Sequence, residues 1–221
     1  MKKVVFILFI FITLSIYSQQ TTFDKTLGKE NAETLNSLIE NFETKTLKKE
    51  YPNLTTENSY KEFLKDNYSI DNSIDKRKTF VESKLKLNIY CVRDSIWIKK
   101  RTLSSGKESD MIVYRSKCLN PNNEVVYTKS IRHCCSDRTK TLSFSEQDKR
   151  IVQKINLIGS YIKALEKIYN KSNFLNFYLE HIKMTATPML PPIMANYILK
   201  NNINTNDYFV KRIIYINQIY R

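Results

Sequence analysis

Glycine is scarce in this 221-residue sequence, and its three glycines, Gly28, Gly106 and Gly159, stand alone. Glycine-rich loops let backbone amides approach a phosphate in dinucleotide-binding folds, P-loop NTPases and kinases. A serine flanked by glycines forms the nucleophile elbow of the α/β-hydrolases. The sequence contains neither pattern. These classes of enzyme are therefore disfavoured, and no cofactor is predicted.

Histidine is rarer still, because His133 and His181 are the only two in the chain. Few arrangements of a catalytic triad are then open. One possible combination of a nucleophile with a base is Asp94, His133 and Cys134. Glu180 and His181 cannot act together on one substrate atom, because neighbouring side chains on a helix point about 100° apart. No catalytic residue is assigned. An exported hydrolase without a recognisable linear motif is the alternative function.

Long hydrophobic runs are absent except at the N-terminus. Two lysines precede the apolar stretch 4–16, and the chain turns polar from Tyr17. This order is typical of a secretory signal, and the apolar stretch is shorter than the ~20 residues that span a bilayer. We expect residues 1–18 to be a cleaved signal peptide, which predicts a secreted or periplasmic mature chain without a membrane span. An uncleaved anchor is the competing interpretation.

Apolar residues recur at helical spacing on either side of the middle of the chain. Helices are predicted at residues 31–50, 57–66, 75–86, 173–184, 193–200 and 207–220. Thr56 is a candidate N-cap for the second of them. After Phe144 the longest stripe predicts one continuous helix through Gly159, formed by Ile151, Ile155, Ile158, Ile162, Leu165 and Tyr169.

The middle of the chain has the alternation of strands. β-favouring runs are separated by turn-like sequences near residues 105 and 121, so a three-stranded antiparallel meander is predicted. Such a sheet is marginal alone and needs helices to cover its apolar face. The predicted fold is a single α+β domain over residues 19–221, with helical, sheet and helical parts at 19–87, 88–135 and 145–221.

One short motif in the first helical part carries a resemblance. Tyr51, Pro52 and Asn53 are followed by Tyr60, Phe63 and Leu64. With the signal segment, this arrangement resembles small exported proteins of unknown function from AT-rich Gram-negative bacteria. The resemblance covers about the first third of the chain. It implies export and assigns no functional residue.

The chain is basic, with a formal net charge of +14, and residues 72–140 hold 16 basic against 7 acidic side chains. This segment, with Lys99, Lys100 and Arg101 near its centre, predicts binding to an unknown protein or to an anionic envelope component. No nucleic-acid module is visible, so no specific nucleic acid is predicted. A bias in genome composition is the competing interpretation, because lysine, asparagine and isoleucine are all abundant. The favoured function is an exported, non-enzymatic binding protein.

The four cysteines, Cys91, Cys118, Cys134 and Cys135, fall in or beside the predicted sheet. Disulfides persist in the oxidising compartments that an exported chain enters. With a hairpin centred near residue 105, Cys91 faces Cys118, and these two form the preferred disulfide. The alternative joins each of them to one of the adjacent cysteines, because a bond between neighbours strains the chain. Adjacent thiolates also fit zinc poorly, so no metal site is predicted.

Overall fold

A computed structural model describes residues 20–67, 83–102, 104–133 and 154–220. The predicted signal peptide, Cys134 and Cys135 lie outside the described residues. Within them the protein is α+β, as predicted. It consists of two compact units, one from residues 1–79 and 160–221 and the other from residues 80–159. We call the first the helical unit and the second the sheet unit.

The helices and strands follow one another in the order α1 to α4, β1 to β4 and α5 to α8. The helices are α1 at residues 20–27, α2 at Lys29–Asn41, α3 at Thr56–Asp66, α4 at Lys84–Ile89, α5 at Ser160–Glu166, α6 at Asn173–Thr185, α7 at Pro191–Lys200 and α8 at Tyr208–Gln218. The strands are β1 at Tyr90–Thr102, β2 at Glu108–Leu119, β3 at Val125–His133 and β4 at Lys154–Ile155. Helix α2 continues through a π-helical segment, Phe42–Leu47, into Lys48–Glu50.

Side-chain caps fix where several helices begin. Ser172 accepts a hydrogen bond from the backbone N–H of Leu175, and Asp207 accepts from those of Phe209 and Val210. Such caps satisfy amides that the first helical turn leaves without a partner. The cap of α3 is Thr55 rather than the predicted Thr56, since the Thr55 side chain accepts from the N–H of Asn58.

Aromatic contacts form the centre of the helical unit. The ring of Phe42 lies 5.2 Å from that of Phe63, 5.8 Å from Tyr60 and 5.7 Å from Tyr215, between ring centroids. These tilted and edge-on arrangements are the favourable geometries for aromatic pairs. They join the π-helical segment after α2 to α3 and α8, so the apolar spacing seen in the sequence corresponds to a shared core. Helix α8 is buried over most of its length, as predicted.

The sheet contains four antiparallel strands in the order β3-β2-β1-β4, so the predicted three-stranded meander gains a fourth strand. Two turns join the meander strands. Gly106 and Asn123 have positive φ angles there, of 76° and 62°, a conformation that glycine and asparagine tolerate best. Helix α4 packs against β1 and β2, while the predicted helix at 75–86 lies largely outside the described residues.

The continuous helix predicted from residue 145 to Tyr169 is wrong in its described part. Lys154 and Ile155 form β4 opposite Cys91 and Tyr90, residues 156–159 turn, and α5 begins only at Ser160. The prediction was wrong because the sequence spacing assigned Ile155 and Ile162 to one helical stripe. Both side chains are buried, but Ile155 is buried as part of a strand in the sheet unit and Ile162 as part of a helix in the helical unit.

Asn156 joins three parts of the sheet unit. Its side-chain Nδ2 donates to the carbonyl of Leu87 at 3.0 Å and to that of Leu119 at 2.6 Å, and its backbone N–H donates to Ile89 at 2.8 Å. The residue is fully buried. Because buried carbonyls need donors, Asn156 fixes the C-terminal turn of α4 and the end of β2 against each other.

Gly159 closes the same turn at very short range. A Cβ atom at this position would lie 2.1 Å from the carbonyl oxygen of Asn88 and 2.7 Å from Nδ2 of Asn156. Both distances are far below van der Waals contact, and the first neighbour is backbone. Glycine is therefore required here by the close approach of two chain segments.

Replacing Gly159 with alanine should destabilise the protein by about 2–4 kcal/mol, because the new methyl group must displace backbone. Urea unfolding measures the change. Gly106→Asn is the matched control, since nothing lies within 4 Å of a Cβ at Gly106 and asparagine tolerates its positive φ. We expect the control to stay within about 0.5 kcal/mol of the parent. Equal losses in the two variants would contradict the close approach.

Asn156→Asp should cost about 3–5 kcal/mol near pH 7, because a carboxylate cannot donate to the carbonyls of Leu87 and Leu119. Burial raises the pKa of the introduced carboxyl above its unfolded value of about 3.9. The folded variant then binds more protons than the unfolded variant, so its stability falls as the pH rises through and above this value. Relative to the parent, the deficit should therefore shrink from pH 7 to pH 4. A deficit independent of pH would refute this role of Asn156.

Candidate functional site

The register of the strands sorts the basic side chains onto two faces of the sheet. Residues directly opposite each other in an antiparallel pair share a face, as do residues two apart along one strand. Lys99 faces Met111, Arg101 faces Ser109, and Arg115 faces Lys129. We call this side the cationic face, and its members here are Trp97, Lys99, Arg101, Arg115, Lys117, Tyr127, Lys129 and Ile131.

Lys100 lies on the other face, so the sequence-predicted group of Lys99, Lys100 and Arg101 does not act as one surface. Its direct neighbour on β2 is Asp110, and its Nζ donates to a carboxylate oxygen of Glu108 at 3.0 Å. The hydrogen bond and charge of Glu108 raise the pKa of Lys100. The positive charge of Lys100 is thus balanced locally, although it stays exposed.

A β-bulge at Asp94 supplies an acidic partner to one arginine of the cationic face. The register shifts between Arg93 and Ser95, which leaves Asp94 as the extra residue of β1. Its carboxylate accepts from Nε of Arg115 at 2.8 Å. The guanidinium of Arg115 also lies 4.8 Å from the ring centroid of Tyr127, within the range of a cation–π contact. Arg115 is therefore paired and held in place.

Three basic residues of this face have no such partner. Lys99, Arg101 and Lys129 are exposed, and none of them forms an ion pair with the described residues. Lys99 and Arg101 are two residues apart on β1, so their Cα atoms lie roughly 7 Å apart. Lys129 is on β3, the strand beyond β2. Full positive charges therefore extend across the sheet rather than along one strand.

Exposed apolar side chains lie among these charges. Trp97 is 37% exposed, Tyr127 54% and Ile131 56%, and Trp97 and Ile131 both face Val113 across the strands. The structure places Trp97 and Tyr127 beside the unpaired lysines and arginine. A mixture of cations and amphipathic aromatics suits a ligand that is anionic at one end and apolar at the other.

Cys91 and Cys118 are side by side at the buried end of the sheet. They lie one position beyond the opposed pair Val92 and Lys117, and both are buried thiols. A hydrogen bond from the Cys91 thiol lowers the pKa of Cys118, while the same bond and burial raise the pKa of Cys91. The preferred disulfide between them stays a prediction, now with the two partners adjacent.

The proposed combination of Asp94, His133 and Cys134 is not assembled by the described strands. Asp94 is paired with Arg115, which faces Lys129, and His133 lies four residues further along β3. At about 3.3 Å per residue this separates the two positions by roughly 13 Å. Cys134 lies outside the described residues. The catalytic combination therefore has no geometric support.

His181 on α6 is a partly buried histidine whose Nε2 makes no hydrogen bond to the described residues. Burial lowers its pKa and so favours the neutral ring. Glu180, its neighbour in sequence, is exposed. No cluster of three or more histidine, cysteine, aspartate or glutamate side chains suited to a metal ion occurs in the described part of the chain.

Comparison with known proteins gives no relative for this chain: no family model, curated protein or solved structure matches it. Among residues 20–67, 83–102, 104–133 and 154–220, no helix combines the length and the apolar character needed to cross a bilayer.

Oxidation should join Cys91 to Cys118, because adjacent positions on antiparallel strands bring the two sulfur atoms within reach. Each thiol loses a proton and an electron to glutathione disulfide in a redox buffer, and peptide mapping without reduction identifies the linked fragments. The closed loop should stabilise the protein by about 3 kcal/mol. A Cys134→Ser, Cys135→Ser double variant should keep the same link. Four free thiols, or links from Cys91 and Cys118 to the other two cysteines, would contradict this.

Proposed function

We propose that the protein is an exported, non-enzymatic protein of the periplasm or cell exterior that binds anionic lipid or glycolipid headgroups through the cationic face. The observation that carries the proposal is the surface formed by Lys99, Arg101 and Lys129 with exposed Trp97 and Tyr127. Its three cations have no acidic partner among the described residues.

The charge of this surface supports a ligand with several separated anionic groups. Unpaired lysines and arginines near an anionic lipid surface each contribute about 1 kcal/mol of attraction. Trp and Tyr favour the headgroup region, where an apolar ring and a polar edge are both solvated appropriately. Envelope glycolipids such as lipopolysaccharide combine phosphates with acyl chains, and this combination matches the mixed character of the face.

A protein partner is a second candidate, favoured by the open edge of β3. Among the described strands β3 pairs only with β2, and Val125, Tyr127 and Ile131 on it are each at least half exposed. An edge strand of this kind accepts a further strand through backbone hydrogen bonds. Such binding depends little on salt, which separates it from binding to headgroups.

Single substitutions on the two faces of β1 test the proposal with matched changes of charge. Lys99→Gln and Arg101→Gln should each weaken binding to lipopolysaccharide or phosphatidylglycerol vesicles about 5-fold at low salt. Lys100→Gln removes the same charge from the opposite face, where Glu108 already balances it, and should change affinity less than 2-fold. Vesicle co-sedimentation measures all three variants.

The salt dependence gives the second readout. The fraction of parent protein that co-sediments with the vesicles should fall steeply as the salt concentration rises, because salt screens the attraction between the cationic face and the headgroups. Equal losses in the Lys99, Lys100 and Arg101 variants would indicate attraction by net charge alone and would overturn a specific face. Retention that ignores salt would favour strand addition at β3.

A further inference from the structure

The helical unit contains a groove of about 940 Å³ that the cationic face does not involve. Helices α2 and α8, the first turn of α6 and the loop at residues 202–207 form its walls. Its volume falls within the range of small-molecule sites. Amide side chains are frequent in the lining, among them Asn36, Asn173, Asn204 and Asn206, so a bound molecule meets many neutral hydrogen-bonding groups.

Arg212 of α8 lines this groove and is only 6% exposed. Its guanidinium lies over the ring of Tyr208, 3.2 Å from the centroid, and Nη1 donates to the carbonyl of Tyr208 at 2.8 Å. Nη2 donates to Oδ1 of Asn36, and Nε has no hydrogen-bond partner in the described part of the chain. The acceptors that this buried cation finds there are therefore neutral.

Glu40 lines the groove with an exposed carboxylate, whereas three other nearby carboxylates are committed to other donors. Asp24 accepts from the hydroxyl of Tyr208 at 2.7 Å, and Glu43 accepts from Nζ of Lys211 at 2.8 Å. Asp207 accepts from the first backbone amides of α8. Arg212 forms no ion pair with any described acidic residue. Lys211 is balanced by Glu43, so Arg212 is a buried positive charge of the groove wall without a direct counter-ion among the described residues.

A buried guanidinium without a counter-ion is costly, because it has lost its hydration and gained no opposite charge. Burial lowers the pKa of Arg212, and the nearby charges of Asp24 and Glu43 offset this lowering only in part. Nη2 and Nε present parallel N–H bonds along one edge of the planar group. The two oxygens of a carboxylate accept from Nη2 and Nε at once, whereas the amide oxygen of Asn36 accepts from Nη2 alone. Asn36 is exposed, so its side chain has room to move aside.

We propose that this groove binds a small organic molecule bearing one carboxylate, which replaces the Asn36 amide on the Nη2 and Nε edge of Arg212. A single unpaired positive charge selects a monoanion over a phosphate monoester, which carries more charge near neutral pH. The asparagines of the lining donate to and accept from hydroxyl or amide groups on the rest of the molecule. Sugar acids and N-acylated amino acids share this chemistry.

Calorimetric titration of the whole purified chain tests the site with galacturonate and N-acetylglycine. Binding by either acid, with its methyl ester at least 10-fold weaker, supports the proposal and identifies the source of the carboxylate. Glucose 6-phosphate should bind no more tightly than the acid. If neither acid binds, or if the ester binds as well as the acid, the proposal is overturned.

Variants at Asn36 test the mechanism without removing the buried arginine. Asn36→Asp places a carboxylate next to Arg212, so it should raise the unfolding temperature and weaken acid binding at least 10-fold. Asn36→Ala leaves the edge of Arg212 open and should bind the acid at least as tightly as the parent. Ser37→Asp, at the next exposed position of α2, adds the same charge on another side of the helix. An equal loss of affinity in the Asn36→Asp and Ser37→Asp variants would overturn the contact with Arg212.

Discussion

The sheet unit depends on one buried amide. Asn156 follows β4, and its side chain donates to carbonyls in the last turn of α4 and at the end of β2. Its backbone N–H donates to Ile89, the residue directly before β1. Gly159 permits this approach because no side chain separates it from Asn88. These bonds fix the register of β1 and β2 where the start of β1 meets the end of β2, the most deeply buried part of the two strands. A slip by one residue moves every side chain to the opposite face. This contact therefore keeps Cys91 beside Cys118 and, together with the bulge at Asp94, determines which residues share the cationic face.

Much of the sheet could be predicted from sequence because its information is local. β-branched and aromatic runs, with turn residues between them, specified three strands in the correct order. Strand β4 could not be recognised from the sequence, because two residues are too few to show the alternation of apolar and polar side chains that marks a strand. The error at Ile155 and Gly159 has the same origin. Apolar residues at spacings of three and four predict a helix, but a buried strand and a separate helix produce the same spacing when a turn lies between them.

The sites were less accessible to sequence reasoning. The consecutive residues Lys99, Lys100 and Arg101 predict one basic patch, but successive side chains of a strand point to opposite faces. Only the structure shows that Lys100 lies beside Glu108 and Asp110 on β2. A site at Arg212 was still harder to infer from the sequence, because α8 was predicted to be buried on almost all sides. The interruption of its apolar sequence by Lys211 and Arg212 was the available signal, and only the structure shows that one is paired with Glu43 and the other with neutral acceptors.

The bulge at Asp94 has a consequence for how this sheet can change over time. One extra residue in β1 reverses the parity of everything after it, so residues 95–102 present the side that they would otherwise turn away. Loss of the Ile96 codon, with the bulge kept, would turn Trp97, Lys99 and Arg101 to the other face and bring Ile98 and Lys100 opposite Val113 and Met111. The surface chemistry of the hairpin is thus coupled to the number of residues in β1 after the bulge. Related chains should accordingly tolerate substitutions along β1 far more readily than insertions or deletions near its middle.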